Sequence, residues 1–390
     1  MVVIDKSCTG CTACLNICPK QAITMKNNEE GFLYPLIDKD YCIECGLCDR
    51  VCPIISKPQV MPPISILAAK NREIEIRRRS TSGGMFSALA EWTIDKGGWV
   101  YGASLDNEMH VIHKGTNSYE GIDAFRGSKY TQSNLSNIFV DIFDKLKTNC
   151  WVLFTGTPCQ CGGLIKYLEC KRANTSRLAL CDIVCHGVPS PSLWMDHMNT
   201  LKKKHGDILD YRCRSKVNGW HNHIEYCRWK NGRIEYGTRF VQKQKNMFYT
   251  NLGLRNSCAE CQYTSTERVS DLTIADYWGI ENSYPQFDDN DGVSLVLVNT
   301  DKGKGIISEL NQKIECIETS LASCLVRQPN LQHPTPVNLA KRAEFWEDYN
   351  SKGYLYCCRK YTEYGIKNWM KKQIGRVEKK IKRILKRRCI

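Results

Sequence analysis

The chain has 390 residues, 23 cysteines and a formal net charge of +14. Its length allows two or three domains with their own cores, and no apolar run approaches the ~20 residues of a spanning helix. It opens Met1-Val-Val-Ile-Asp-Lys and reaches a cysteine at Cys8, so no secretory leader is expected and the free thiols fit a reducing cytoplasm.

The first predicted element is a cysteine unit over residues 1–56. It reads Cys8-Thr-Gly-Cys11-Thr-Ala-Cys14-Leu-Asn-Ile-Cys18-Pro19 and later Cys42-Ile-Glu-Cys45-Gly-Leu-Cys48-Asp-Arg-Val-Cys52-Pro53. The same spacing occurs twice, and each run ends in proline. That is the bacterial two-cluster ferredoxin pattern, in which the fourth cysteine of each run ligates the other 4Fe-4S cube. Cys8, Cys11, Cys14 and Cys52 are therefore expected at one cluster, and Cys42, Cys45, Cys48 and Cys18 at the other. Zinc takes four ligands, usually in more widely separated pairs and often with histidine. A disulfide framework does not explain the doubled spacing. Gly31 to Ile37 reads as the hairpin between the two runs.

Pro58, Pro62 and Pro63 mark a linker, and residues 64–335 read as a second domain. Ile64-Ser-Ile-Leu-Ala-Ala is its first expected strand. The small-residue loop Ser80-Thr-Ser-Gly-Gly84 leads into a helix over Met85 to Asp95, stopped by Gly97-Gly98. Trp99-Val-Tyr-Gly-Ala reads as a strand. Leu135, Ile138, Phe139, Ile142, Phe143 and Leu146 recur at three and four, as in an amphipathic helix. Strands at Cys150–Phe154 and Leu178–Val184 end in Thr155-Gly-Thr-Pro-Cys159 and Cys185-His186-Gly187. The fold class that follows is an α+β ferredoxin module, then an α/β domain with a mixed, largely parallel sheet. Cys159 and Cys185 fall at strand ends, where such sheets place ligands. Residues 211–240 read as antiparallel hairpins. Residues 336–390 read as a helical extension with a basic tail.

Four features stand beyond the cysteine unit. They are Ser80-Thr-Ser-Gly-Gly84; Arg126-Gly-Ser-Lys129-Tyr-Thr-Gln132-Ser133; Gly156-Thr-Pro-Cys159-Gln160 with Cys185-His-Gly-Val-Pro189; and Asn256-Ser-Cys258-Ala-Glu-Cys261 followed by Arg268 and Asp276-Tyr-Trp-Gly279. Together they resemble the beta subunits of hydrogenases and dehydrogenases that reduce coenzyme F420, a deazaflavin hydride carrier. The resemblance runs from the N-terminus to about Gly279. It implies flavin adenine dinucleotide (FAD), iron–sulfur clusters including a further 4Fe-4S cluster, and electron transfer between the clusters and a hydride acceptor at the flavin. It does not fix the substrate.

The residues carry their own reading beside it. In the loop holding Ser82, Gly83 and Gly84, glycines let a diphosphate approach the backbone and the following helix offers its positive end; the plainer reading is a helix cap. Arg126 and Lys129 would neutralise phosphates or hold a flavin edge, unless they lie in a solvated turn. Cys258 and Cys261 lack a local second pair, and Cys159 and Cys185 complete a set for one cube. Against this stand zinc at Cys258 and Cys261, Cys161 in place of Cys159, and strand-end cysteines that are only buried. His186, His221 and His223 are candidate proton donors, with a structural role the commoner alternative. Asp276 is a candidate strand-end contact.

In the tail, Ile366, Trp369, Met370, Ile374, Val377, Ile381, Ile384 and Leu385 share one helical face among lysines and arginines. That pattern fits peripheral membrane contact, partner docking or a packed surface helix; nothing beyond charge supports nucleic acid. The expected function is an iron–sulfur flavoprotein oxidoreductase, cytoplasmic, with peripheral membrane contact as one reading of its tail. It would work with a redox partner protein or ferredoxin-like donor and a small-molecule substrate of unknown identity. The alternative is a non-catalytic electron-transfer subunit that docks on a partner enzyme, and a bound flavin separates the two.

Overall fold

The short helices Ala13–Ile17 and Leu47–Val51 each start behind a left-handed residue, Thr12 at φ 62° and Gly46 at φ 70°. Two positions earlier the backbone is again left-handed, at Gly10 (φ 69°) and Glu44 (φ 52°). Both cysteine loops thus turn the same way, and such turns gather successive N–H groups on one concave side. Each helix ends at the cysteine before proline. Cys18 and Cys52 are extended there, because a following proline disfavours helical backbone. Between the helices, β1 (Ile23–Asn27) and β2 (Leu33–Ile37) form an antiparallel hairpin, Ile23 opposite Ile37 and Asn27 opposite Leu33. The structure is a computed structural model and describes residues 6–362. The amphipathic-tail expectation for residues 366–390 lies outside them.

The α/β domain is built on an eight-stranded sheet. Its strands are β3 (Ser65–Asn71), β4 (Trp99–Leu105), β5 (Val111–Thr116), β6 (Val152–Gly156), β7 (Leu178–Ile183), β11 (Leu272–Asp276), β12 (Ser294–Val298) and β13 (Ile314–Glu318). Across the sheet the order is β13-β3-β12-β11-β7-β6-β4-β5. The four neighbours β4, β6, β7 and β11 are parallel. β5 pairs antiparallel at one side, and β12, β3 and β13 do so at the other. The expected mixed sheet is therefore parallel in its middle. β12 reads Ser-Leu-Val-Leu-Val and is buried at every position, as a strand covered on both faces must be. β8 (Ile208–Ser215), β9 (Ile224–Trp229) and β10 (Ile234–Tyr236) form a separate antiparallel sheet, in the stretch expected to form hairpins.

Helix Met85–Asp95 covers one face of the large sheet with Ala88, Leu89 and Trp92. Helices Ile138–Lys147 and Pro158–Cys170 pack through Phe139, Ile142, Leu164 and Tyr167 in a second core. That core also takes in Cys11, Ala13, Ile17 and Val51 of the cysteine module. Burying side chains the size of Val51 and Ile17 stabilises by about 1.5–3 kcal/mol each, so the module is docked on the domain.

The extension seals the same contact from another side. In helices Leu339–Lys352 and Tyr354–Tyr361, Phe345, Trp346 and Tyr354 pack with Phe32 of the module and Met247 of the domain. Arg342 forks onto Glu30, with Nη1 donating to Oε1 at 2.7 Å, and also donates to the Leu254 carbonyl at 2.9 Å. One side chain thus ties the β1–β2 hairpin to the loop that leads into Cys258. Among the described residues no helix is long and apolar enough to cross a membrane.

Candidate functional site

The turn-and-proline geometry of the two cysteine runs creates two cavities. One, of about 150 Å³, is lined by Cys8, Cys11, Cys14 and Cys52. The other, of about 270 Å³, is lined by Cys18, Cys42, Cys45 and Cys48. The fourth cysteine of each run thus stands at the other run's cavity. The second cavity is the outer one: Cys45 is exposed, as are Tyr41, Ile43 and Leu36 near it. Burial, and then the neighbouring thiols Cys8, Cys52 and Cys48, push the Cys14 thiol up to about 12; burial also raises the Cys11 and Cys52 thiols above their usual range. Such thiols stay protonated at neutral pH unless a cation displaces the proton.

A third set of cysteines converges at the carboxyl ends of β6 and β7. Cys159 opens helix Pro158–Cys170, whose start is fixed by a capping box between Thr157 and Gln160. Cys185 lies just past β7, and Cys258 and Cys261 lie on the loop that leads toward β11. Burial raises the Cys185 thiol well above its usual range, and Cys258, Cys159 and Cys261 raise it further. Cys258 and Cys159 are pushed to about 12 and about 11, again by burial first and then by other members of the set. The Val188 N–H donates to the Cys258 sulfur at 3.5 Å, and the Thr157 hydroxyl lies 3.2 Å from the Cys159 sulfur. Cys161 instead turns its thiol toward the Cys181 carbonyl inside the core.

Tetrahedral zinc with Zn–S of about 2.3 Å holds its sulfurs about 3.8 Å apart. Among the described residues, the one set of three or more metal-binding side chains drawn within 4.8 Å is His221, Glu281 and Asp288. None of the three cysteine sets draws three sulfurs within that distance. His221 and Asp288 are engaged with each other at 2.7 Å, and Glu281 with Arg327 at 2.8 Å.

The first and third sets adjoin. A Cβ added to Gly163, one turn after Cys159, would meet the Cys11 sulfur at 2.8 Å. Arg255 spans the same gap: its Nε donates to the Cys8 carbonyl at 2.7 Å, and its backbone N–H donates to the Val188 carbonyl at 3.0 Å. Sequence reasoning passed over Arg255. Its one signal is its place immediately before the Asn256-Ser-Cys258 motif.

The loop residues expected at a flavin come together, but most of their side-chain polar groups are engaged. The Ser128 N–H donates to the Thr81 hydroxyl at 3.0 Å, joining the two loops. The Ser82 hydroxyl donates to the Val293 carbonyl at 2.9 Å. Gly83 is packed so that a Cβ would come within 2.4 Å of the Ala69 carbonyl. Arg126 is paired with Asp123 and, at 3.3 Å, with Glu91. Lys129 donates to the Ala124, Phe125 and Arg126 carbonyls, and burial lowers its ammonium to about 7. Gly84, at φ 89°, starts helix Met85–Asp95 with no side-chain cap, which leaves that end to backbone N–H groups.

The candidate proton donors are held in place. The His186 ring shares a 2.8 Å hydrogen bond with Asn251, and burial lowers its pKa. The two His223 nitrogens meet the Tyr249 hydroxyl and the Cys213 carbonyl, each at 2.9 Å; burial, then Arg214 and Lys245, lower it to about 3. Asp276 accepts from Arg214 and from the Trp220 indole, both at 2.7 Å. Trp220 stacks on Trp278 with centroids 5.0 Å apart, and Arg214 lies 4.9 Å over Trp278. Asp276 thus orders an aromatic wall at the end of β11.

A doubled cysteine module docked on an α/β domain defines an iron–sulfur electron-transfer protein. Residues 7–54 match the 4Fe-4S dicluster domain, and residues 150–322 match the family described as the C terminus of the coenzyme F420 hydrogenase/dehydrogenase beta subunit. Residues 150–322 are thus similar to the C-terminal part of those beta subunits, with a 4Fe-4S dicluster domain ahead of them. The F(420)H(2) dehydrogenase of Methanosarcina mazei has a subunit that is 23% identical over 175 residues, 41% of this chain and 48% of that protein. The H(2):CoB-CoM heterodisulfide,ferredoxin reductase of Methanothermobacter marburgensis has one that is 42% identical over 64 residues, 12% of this chain and 9% of that protein. The chain thus spans half or less of these curated relatives. A chain of the F420-reducing NiFe hydrogenase complex from Methanosarcina barkeri aligns at 15% identity and a TM-score of 0.46, over 75% of this chain and 91% of that one.

Proposed function

We propose that this chain is the iron–sulfur and flavin subunit of an oxidoreductase. In this reading electrons cross it from the outer set Cys18, Cys42, Cys45, Cys48, through Cys8, Cys11, Cys14, Cys52, to Cys159, Cys185, Cys258, Cys261, or in reverse. The observation that supports this most is the adjacency of the first and third sets across Gly163 and Arg255. Cubes carry single electrons, and a flavin converts these to a two-electron hydride step. The cysteines hold the relay, and the docked module keeps its spacing. The uncapped start of helix Met85–Asp95, with Gly84, suits the diphosphate of FAD, as helix N-termini suit anions generally. Arg126 and Lys129 fit such a role less well, because their donors are already engaged by the protein. The flavin exchanges hydride with a small-molecule substrate or a deazaflavin-like carrier, and the single-electron partner is a redox protein.

Anaerobic purification with iron, zinc and flavin counts tests this. Three cubes give about twelve iron atoms per chain, with one flavin. About eight irons, with zinc at Cys258 and Cys261, would remove the third cube. Clusters without flavin would favour a docking electron-transfer subunit.

The crossed assignment has its own check. Cys18→Ala is expected to damage the outer cluster and spare that of Cys8, Cys11, Cys14 and Cys52, as read by low-temperature EPR of the reduced protein. Damage confined to the inner one would refute the crossing.

A further inference from the structure

Arg255 is 1% exposed, and among the described residues no carboxylate pairs with it. The acceptors it meets are the Cys8 and Leu33 carbonyls at 2.7 and 3.0 Å, the Gln132 side-chain oxygen at 2.9 Å, and the Cys8 sulfur at 3.6 Å. The Tyr34 ring lies 4.2 Å from the guanidinium carbon, and the Phe32 ring 5.4 Å. Apart from that sulfur, every one of these groups is uncharged. Burying a guanidinium without an anion is costly, and proteins pair buried charge. A packed site has nonetheless been built for it. Gly10, at φ 69°, carries no Cβ where one would meet Gln132 at 2.6 Å and Arg255 at 3.0 Å.

We infer that Arg255 is a shared counter-charge for two redox centres, the one held by Cys8, Cys11, Cys14 and Cys52 and the one held by Cys159, Cys185, Cys258 and Cys261, and that it raises the reduction potential of both. The inference rests on the cluster reading above. Four thiolates around a cube leave a net negative charge at each set, and that supplies the anion Arg255 lacks. Arg255 reaches the third set through its backbone: its carbonyl accepts from the Cys258 N–H at 2.9 Å. Its backbone is tied to Val188, whose own N–H donates to Cys258. One residue is thus anchored at the third set and reaches into the first. On reduction each centre takes one electron from a one-electron donor, with no bond made or broken. A nearby fixed cation favours the more negative reduced form, and cluster potentials respond to local charge and to hydrogen bonds on sulfur. The Cys18, Cys42, Cys45, Cys48 set has no such contact with Arg255 and is the internal control.

The test is EPR-monitored titration with dithionite of full-length, anaerobically reconstituted wild type, Arg255→Gln and Arg255→Lys. Signals are assigned with Cys14→Ser and Cys45→Ser. Arg255→Gln is expected to shift the reduction equilibrium of the Cys8 centre at least tenfold toward the oxidised form, a 59 mV fall for one electron. The Cys159 centre falls by a smaller amount, the outer centre does not move, and Arg255→Lys recovers at least half of the shift. Full iron content in Arg255→Gln with unmoved potentials overturns the inference. So does a lysine variant displaced as far as the glutamine one, since geometry would then matter and charge would not. If Arg255→Gln fails to load iron, Arg255→Lys decides: loading restored by lysine supports the counter-charge, and loading lost in both overturns it. Absence of clusters in the wild type would instead remove the reading beneath, a result the iron count separates from these.

Discussion

Arg268→Ala is expected to destabilise the protein by about 3–5 kcal/mol, because it leaves a buried carboxylate without its cation. Arg268 and Asp182 pair at 2.9 Å with side chains 1% and 0% exposed. Asp182 lies on β7, two residues before Val184 and three before Cys185. Arg268 also donates to the Tyr263 and Ser265 carbonyls at 2.8 and 3.1 Å, which holds the chain just after Cys261. The pair therefore clamps the two cysteine-bearing segments of the third set to each other. Thermal or urea denaturation should show the loss of stability, and, on the proposed third cube, iron content should fall by about four atoms as the set opens. The conservative variant Arg268→Lys reaches Asp182 but cannot serve both carbonyls in the same fork, so its loss is expected to be intermediate. A wild-type midpoint in Arg268→Ala would show that the pair carries no such role.

What the sequence revealed follows from how local each signal is. The eight module cysteines lie in two short runs, and the turns, prolines and helix starts that aim them lie in the same runs. Their arrangement around two cavities was therefore readable. Cys159 and Cys185 lie far from Cys258 and Cys261 in sequence. The expectation that they share one site rests on parallel strands ending at one edge of a sheet. Arg126 and Lys129 read as phosphate ligands because they are basic residues in a small-residue loop. Their actual partners, Asp123 and the carbonyls of residues 124–126, are sequence neighbours whose competing claim the pattern did not weigh. The fork between Arg342 and Glu30 joins residues 312 apart, and no periodicity announces such a contact. The extension accordingly read as an appendage, although Phe345 and Trp346 share a core with Phe32 of the module. Arg255 is of the same kind. Its meaning lies wholly in what folding brings to it.

Two glycine substitutions with opposite expected signs test whether the helix carrying Cys159 is shaped for the module. In an exposed helix interior, Gly→Ala stabilises by about 0.8–1 kcal/mol. Gly305, in helix Asp301–Glu309, has nothing within 4 Å of an added Cβ, so Gly305→Ala should show that gain. Gly163 sits in helix Pro158–Cys170 and receives the same propensity gain. Its Cβ, however, would lie 2.8 Å from the Cys11 sulfur and 2.9 Å from the Cys11 Cβ, closer than real side chains come. At the preceding position an added Cβ would meet the Tyr263 hydroxyl at 2.4 Å. The Gly162-Gly163 pair is thus a flat strip against which Cys11 and Tyr263 rest. Overpacking of this sort costs about 1–3 kcal/mol, which exceeds the propensity gain. Gly163→Ala should therefore lower the melting temperature, and it should displace Cys11 enough to reduce iron at the first set. Gly163→Val should do both more strongly. Circular dichroism melts with iron counts on the same samples read the two effects together. If Gly163→Ala melts higher than wild type with its iron intact, the helix does not press on the cluster site, and the proposed route from the module into the domain loses its closest contact.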